Sequence, residues 1–316
     1  MTEAGGAARA GQAGPGGTLR ERGAWMGIRA DQAVRWLFPL PALAFVVVMM
    51  LFPIVYTAWL SLHEWSMSAV TPPRLVGLRN YATLLGADPR FWMAVWRTIY
   101  FTGLALVVET VLGVAIALLL NRDFPGKNLV KTLVLLPMIA TPVAIGMVWL
   151  LFYEPTIGLA NYVLGLFHLP PQPWLASERG ALPSLALVDI WQWTPMVALI
   201  VLAGLASLPA DPFEAAQVDG ATPLQVLWHV TLPLLRPTIG VAVILRAIDA
   251  LKTFDIIYAM TQGGPNYASE TLNLYAYTLG FSYFRMGMAS ALLEIFFALV
   301  LGVVVLLNRA RRGVLM

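Results

Sequence analysis

Six apolar stretches dominate this sequence, and each is long enough to cross a lipid bilayer as an α-helix. A helical crossing takes about 20 residues, and the six runs cover residues 37–62, 97–120, 129–153, 183–208, 238–260 and 288–308. Hydrophobic residues make up 59% of the chain and charged residues only 12%, whereas a soluble domain carries about 25% charged residues. The sequence therefore predicts an all-α membrane protein with six transmembrane helices.

The distribution of Lys and Arg predicts the orientation of the chain, because cytoplasmic loops carry the excess of positive charge. Twelve Lys and Arg residues fall in the N-terminal tail, the second and fourth loops and the C-terminal end, against six in the other loops. Both termini are therefore predicted to be cytoplasmic. Residues 1–35 are rich in Gly, Ala and Arg without apolar periodicity, which predicts a disordered tail. The membrane domain is expected to cover residues 36–312.

Several classes of chemistry are excluded by composition and spacing. The chain has no cysteine, which rules out disulfides, thiolate metal sites and cysteine nucleophiles. His63, His168 and His229 are far apart and show no metal-ligand spacing, so no metal site is predicted. No Walker phosphate loop, HExxH motif or Ser-His-Asp order is present. We therefore predict a protein that is not an enzyme and draws its energy from another chain.

The loop between the fourth and fifth apolar runs, residues 209–237, is predicted to form a short helical hairpin. Each helix has a start signal with a capping residue, a proline at the first helical position and a side chain that reaches back. Asp219-Gly220 supplies a stop between them, and two prolines are expected to end the second helix. The residues of these signals are Asp211, Pro212, Glu214, Thr222, Pro223, Gln225, Pro233 and Pro237.

Apolar residues in this loop need a place to be buried. Phe213, Leu224, Leu227 and Trp228 belong to helices so short that they are marginal in water on their own. Two interpretations stay open on this ground. The hairpin either docks into a groove of a partner or lies flat on the membrane surface.

The fifth run carries four charged residues at every third position, with alternating sign: Arg246, Asp249, Lys252 and Asp255. A charge at the bilayer centre costs about 2.5–3.5 kcal/mol on insertion scales. Neighbours at this spacing can pair along a helix, but the row drifts around the cylinder. The row is therefore either a structural ladder that holds helices together or the polar wall of a translocation path.

The first half of the fourth run contains four polar or aromatic residues close together in sequence: Asp189, Trp191, Gln192 and Trp193. Tryptophans are common at membrane interfaces, which is one interpretation of this cluster. The other is a sugar site, in which aromatic rings cover the apolar faces of a sugar while Gln and Asp bind its hydroxyls. Glu109 and Glu294 are further acids inside predicted spans, and neither is assigned a role.

The hairpin sequence Glu214-Ala215-Ala216-Gln217-Val218-Asp219-Gly220-Ala221, followed by Leu232-Pro233, resembles the "EAA" loop of permeases in binding-protein-dependent ABC importers. Its place between the fourth and fifth of six spans is that of the family. Other fragments resemble the carbohydrate branch of the family, related to the larger maltose permease. These are Gly77-Leu78-Arg79-Asn80-Tyr81, Phe254-Asp255 and Thr261-Gln262-Gly263-Gly264-Pro265. The resemblance covers about residues 35–312.

The resemblance implies a type I importer fold in which the EAA loop is a coupling helix docked on a cytoplasmic ATPase. Glu214 would pair with a basic residue of that ATPase, Gly220 would be the pivot, and Ala215, Ala216 and Asp219 would belong to the same docking element. Counting from the shared Gly-Gly-Pro puts Asp249 and Thr253 at sugar-facing positions. The other candidates for solute contact are Asp255, Lys252, Arg246, Asp189, Gln192 and Trp193.

The resemblance also implies the partners and the cargo. A second related permease, two copies of the ATPase and an extracytoplasmic binding protein would complete the importer in the bacterial inner membrane, among lipids and without nucleic acid. This chain would hold no cofactor, because ATP and Mg²⁺ belong to the ATPase. The solute would be a sugar, disaccharide or polyol moved by alternating access. Two alternatives remain. The same importer would carry glycerol phosphate or a polyamine, or the chain would be a proton-coupled secondary transporter.

Overall fold

The computed structural model describes residues 38–67 and 71–315, with side chains as far as Arg311. The predicted tail, residues 1–35, lies outside the described residues. The chain divides into two units, the first ending at Tyr56 and the second beginning at Thr57. In the described part of the first unit, residues 38–56, every side chain is exposed. Because these side chains are nearly all apolar, this segment requires lipid or another protein as its surroundings.

The described residues form helices with one small hairpin of strands. The strands are β1 (His63–Glu64) and β2 (Arg74–Leu75), which pair antiparallel with His63 opposite Leu75. The α-helices are α1 (Pro39–Ser61), α2 (Arg79–Ala87), α3 (Pro89–Leu120), α4 (Lys127–Ile139), α5 (Pro142–Phe152), α6 (Leu159–Leu166), α7 (Ala181–Ala206), α8 (Asp211–Val218), α9 (Pro223–Val226), α10 (Leu232–Leu251), α11 (Asp255–Met260), α12 (Leu272–Tyr277) and α13 (Met286–Leu315).

The second unit is built around the close packing of α3 and α7. Gly113 of α3 allows this approach, since a Cβ at that position would lie 2.7 Å from the Cβ of Val197 on α7. Small residues bring the backbones of membrane helices together in this way. At one end of this helix pair, a core that includes Ala117, Val201 and Leu235 joins the pair to α10. At the other end, α3 packs against α12 and α13.

Four of the six predicted spans are confirmed as continuous apolar helices long enough to cross a membrane: α1, α3, α7 and the part of α13 up to Arg311. The third prediction, 129–153, was wrong as a single helix, because α4 and α5 meet at an angle of 100°. Ala140 and Thr141 are extended and Pro142 begins α5. A residue before proline is driven away from the helical conformation, which explains the break. If the bent pair counts as one crossing, five are present among the described residues.

The fifth predicted span, 238–260, also differs from the structure. Its main helix, α10, ends at Leu251, and a break at residues 252–254 separates it from α11. Pro233 and Pro237 were wrongly predicted to end the hairpin, since the chain runs from α9 through a π-helical segment, Leu227–Thr231, into α10. Pro233 lies in the first turn of α10, where a missing N–H costs little. The helix α10 carries three charged residues, Arg236, Arg246 and Asp249, and is not among the helices apolar enough to count as a span. The six-span count therefore remains a prediction.

Candidate functional site

The predicted hairpin between α7 and α10 is present and exposed. Gly220 separates α8 from α9 with φ of +72°, a conformation that glycine adopts without strain. Thr222 and Gln225 form the predicted capping box, with the Thr222 N–H donating to Gln225 Oε1 at 2.8 Å. Val218 and Leu224 are 88% and 65% exposed. The hairpin thus presents apolar side chains away from its own chain.

The start of α8 differs from the prediction. Ala210, and not Asp211, is the capping residue, because the Ala210 carbonyl already accepts hydrogen bonds from the N–H groups of Phe213 and Glu214. Asp211 is the first helical residue and contributes no side-chain cap. The shift places Glu214 outside the register of a capping box. Both acids still lie in the first turn of α8, where the helix dipole favours negative charge.

The hairpin also borders a cleft of about 790 Å³. One wall comes from the ends of α3 and α7, including Leu118, Arg122 and Leu205, and the other from Phe213 and Leu224 of the hairpin. Phe213 is therefore partly covered by its own chain, while Val218 faces outward. The predicted docking residues Ala215, Ala216 and Asp219 lie on α8 and at its end.

A second site lies inside the bundle, where one arginine joins three helices. Arg246 of α10 donates from Nε to Glu109 Oε2 at 2.6 Å and from Nη2 to Glu109 Oε1 at 3.0 Å. Its Nη2 also donates to Asp189 of α7. Arg246, Asp189 and Glu109 are 1%, 1% and 0% exposed. We refer to these three residues as the buried triad.

The buried triad has an aromatic and an amide neighbour, Trp193 and Gln192, which the sequence analysis had grouped with Asp189. The Arg246 guanidinium lies 5.7 Å from the centre of the Trp193 ring. Gln192 is fully buried and donates from Nε2 to the Ala140 carbonyl at 3.2 Å, at the bend between α4 and α5. Arg246, Asp189 and Gln192 are thus engaged within the bundle, whereas the sequence had proposed them for solute contact. That role stays untested.

The remaining predicted residues gather at the break after α10. Asp249, Lys252 and Asp255 are exposed and Thr253 is partly buried. Asp249 and Lys252 pair along the helix, with Oδ1 and Nζ 3.7 Å apart. Asn273 donates to the Lys252 carbonyl at 2.8 Å, which attaches the break to α12.

Beside these polar residues lies an aromatic cluster that sequence reasoning missed. The rings of Phe254, Tyr258 and Tyr277 lie 5.1–5.2 Å apart, and Tyr277 stacks on Phe281 at 5.1 Å. Tyr258 stands four residues after Phe254, a helical spacing visible in the sequence. Tyr277 and Phe281 have the same spacing in another part of the chain, and nothing in the sequence shows that the two pairs pack together. The break therefore combines aromatic faces with an exposed acid–base pair.

Three comparisons place these features in a protein family. The family described as "Binding-protein-dependent transport system inner membrane component" matches residues 109–311. The probable ABC transporter permease protein y4oQ of Sinorhizobium fredii is 40% identical, over 84% of this chain and 86% of that protein. The trehalose/maltose transport system permease protein MalF of Thermococcus litoralis is 37% identical, over 84% and 89%. The sulfoquinovosyl glycerol transport system permease protein SmoG of Agrobacterium fabrum is 33% identical, over 87% and 89%.

Solved structures show the same fold. A chain in the crystal structure of a bacterial alginate ABC transporter, in complex with an alginate pentasaccharide-bound periplasmic protein, superposes with a TM-score of 0.78. The match covers 92% of this chain and 97% of that one at 23% identity. One protein family accounts for the helical fold, the exposed hairpin and the sequence matches. This chain belongs to the inner-membrane permease components of binding-protein-dependent ABC transporters, which are transport subunits and not enzymes.

Proposed function

We propose that this chain is one of two permease subunits in an ATP-driven importer that moves a sugar, disaccharide or polyol into the cytoplasm by alternating access. The observation that carries the proposal is the exposed hairpin α8–Gly220–α9. An exposed apolar surface of this kind marks a site where another molecule binds. The hairpin connects directly to α7 and α10, so a displacement of the hairpin would reach both helices.

The partner on the hairpin is an ATPase subunit, present in two copies, which binds ATP and Mg²⁺. Glu214 and Asp211 provide negative charge in the first turn of α8, and Val218 and Leu224 provide apolar contact area. Charge fixes the orientation of such a contact, and apolar burial supplies most of its free energy. An extracytoplasmic binding protein delivers the solute on the other side.

The solute meets this chain at the break after α10. Aromatic faces at Phe254, Tyr258 and Tyr277 suit the apolar faces of a sugar ring, and exposed Asp249 and Lys252 suit its hydroxyls. The names of the trehalose/maltose and sulfoquinovosyl glycerol relatives agree with a glycoside as cargo. Because a single chain leaves the break open on one side, the second permease would close the path.

The test is reconstitution of this chain with the companion subunits that co-purify with it from its native membrane. Uptake of labelled trehalose, maltose, glycerol phosphate and a polyamine would be measured with and without ATP. We expect ATP-dependent uptake of a sugar, unaffected when the proton gradient is collapsed. Uptake by this chain alone, driven by a proton gradient, would refute the proposal, and ATP-dependent uptake of the polyamine alone would refute the sugar assignment.

A further inference from the structure

Arg90 and Arg97 lie about two turns apart on one face of α3 and have very different surroundings. Arg90 donates from Nε and Nη2 to the two carboxylate oxygens of Glu270 at 2.7 and 2.6 Å. Its guanidinium also lies 3.9 Å and 4.7 Å from the ring centres of Tyr267 and Tyr275. The charge of Arg90 is therefore fully matched within the chain.

Arg97 forms no ion pair with any residue that the structure describes. Among those residues, its hydrogen-bond contact is from Nη2 to the thioether sulfur of Met93 at 3.8 Å. Its Nη1 is buried and has no hydrogen-bond partner within the described part of the chain. Arg97 as a whole is partly exposed, but a buried polar atom almost always has a hydrogen-bond partner. The unpaired Nη1 therefore points to a hydrogen-bond acceptor outside the described residues.

A cleft of about 640 Å³ opens beside Arg97. Arg179 also lines it and makes no ion pair with any residue that the structure describes. The one acid in the lining, Glu178, accepts a hydrogen bond from the Asn266 amide at 3.2 Å. Since Glu270 matches Arg90 and Glu178 offsets one further arginine, the cleft retains an excess of positive charge.

The depth of the cleft in the membrane also bears on its ligand. Arg97 stands at the start of the predicted hydrocarbon-crossing part of α3, residues 97–120. Trp96 and Tyr100 line the same cleft and are 66% and 39% exposed. Exposed Trp and Tyr are typical of the headgroup level of a bilayer. These two features predict that Arg97 lies at the level of the phospholipid headgroups.

We propose that this cleft binds an oxyanion (phosphate, sulfonate or carboxylate) carried by a molecule whose apolar or ring portion lies on Trp96 and Tyr100. Guanidinium groups recognise such oxyanions with two parallel hydrogen bonds. Two sources share this chemistry: the headgroup of an anionic phospholipid and an acidic saccharide. The depth of Arg97 favours the headgroup. The site does not depend on the solute proposed above, because its lining, from α3, residues 178–183 and residues 266–268, shares no residue with the break after α10.

The first arm of the test uses the full chain in detergent with phosphatidylglycerol or phosphatidylcholine, and native mass spectrometry of the retained lipid. We expect selective retention of phosphatidylglycerol, reduced about tenfold in Arg97→Gln through loss of charge-assisted hydrogen bonds, and partly restored in Arg97→Lys. Arg74→Gln is the matched control, because Arg74 is an exposed arginine on β2 outside the cleft. Arg179→Gln changes an exposed residue of the cleft and replaces Arg97→Gln if that variant does not fold.

The second arm measures binding of glucuronate and of glucose to the same proteins without added lipid. Glucuronate binding that is lost in Arg97→Gln, with no glucose binding, would support the site and assign it to an acidic saccharide. Phosphatidylglycerol selectivity without glucuronate binding would support it and assign it to lipid. The proposal is overturned if the cleft variants and Arg74→Gln match the unaltered chain in both arms.

Discussion

Arg246 donates two hydrogen bonds to Glu109, a residue 137 positions earlier in the chain, at 2.6 and 3.0 Å. The same guanidinium also bonds to Asp189. These contacts join α3, α7 and α10, and the last two are the helices that flank the exposed hairpin. A buried arginine with two hydrogen-bonded acids holds the three helices in a defined register, and we infer that they respond together when the hairpin moves.

Arg246→Met is expected to destabilise the folded chain strongly, because it leaves two acids in the bundle without a counterion. Removing one partner of a buried ion pair costs about 3–5 kcal/mol. Thermal unfolding in detergent, followed by fluorescence-detected size exclusion, measures the loss. Lys252→Gln is the comparison, since the Lys252–Asp249 pair is half exposed and an exposed pair is worth about 0–1 kcal/mol.

A triple variant, Glu109→Gln with Asp189→Asn and Arg246→Met, separates charge from packing. Replacing a whole buried ionic group by neutral side chains is often neutral or stabilising. We therefore expect it to recover much of the stability lost in Arg246→Met. A triple variant as unstable as the single one would show that the arginine acts through its shape alone.

Local signals in the sequence predicted some local structure correctly and some wrongly, and distant contacts were beyond them. The Thr222–Gln225 capping box was predicted because both residues lie within one helical turn. The partners of Arg246 were not, because the sequence shows a charge inside a span without showing which helix packs beside it. Proline led to two opposite errors. The bend at Pro142 was not predicted. Pro233 was predicted to end a helix, but the chain continues there from a π-helical segment into α10.

The hairpin prediction concerns Glu214 and Gly220. Gly220→Pro is expected to abolish ATP-dependent uptake by the reconstituted complex, because proline fixes φ near −65° and the native φ is +72°. Glu214→Ala is expected to reduce uptake and the stimulation of ATP hydrolysis together, while the melting temperature of the chain stays nearly unchanged. Lys127→Gln, a change at a residue that is 33% exposed and lies elsewhere on the same predicted side, serves as the control. Unaltered uptake in both hairpin variants would contradict a coupling role.

The prediction for the break after α10 concerns the solute. Tyr277→Ala removes the ring that contacts Phe254, Tyr258 and Phe281, and we expect a several-fold higher solute concentration for half-maximal uptake. Asp249→Ala and Thr253→Ala are expected to change the preference among sugars. Tyr162→Ala is the matched control, because Tyr162 is an exposed ring on α6, outside the cluster. If these two variants change only the amount of protein, and not the preference among sugars, Asp249 and Thr253 have a structural role and do not select the solute.

The packing of α3 against α7 can be tested with two glycines of the same helix. In Gly113→Ala the new methyl group would lie 2.7 Å from Val197 Cβ, a separation that forces the helices apart, and overpacking of this kind costs about 1–3 kcal/mol. Gly103→Ala is the matched control, since a Cβ there meets nothing within 4 Å and alanine favours the helix. We expect a lower melting temperature for Gly113→Ala and an equal or higher one for Gly103→Ala.

Because Gly113 and the buried triad both hold α3 against α7, combining Gly113→Ala with Arg246→Met should reduce the free energy of unfolding by less than the sum of the two separate losses. Strict additivity would show that the triad and the glycine contact stabilise independent parts of the bundle.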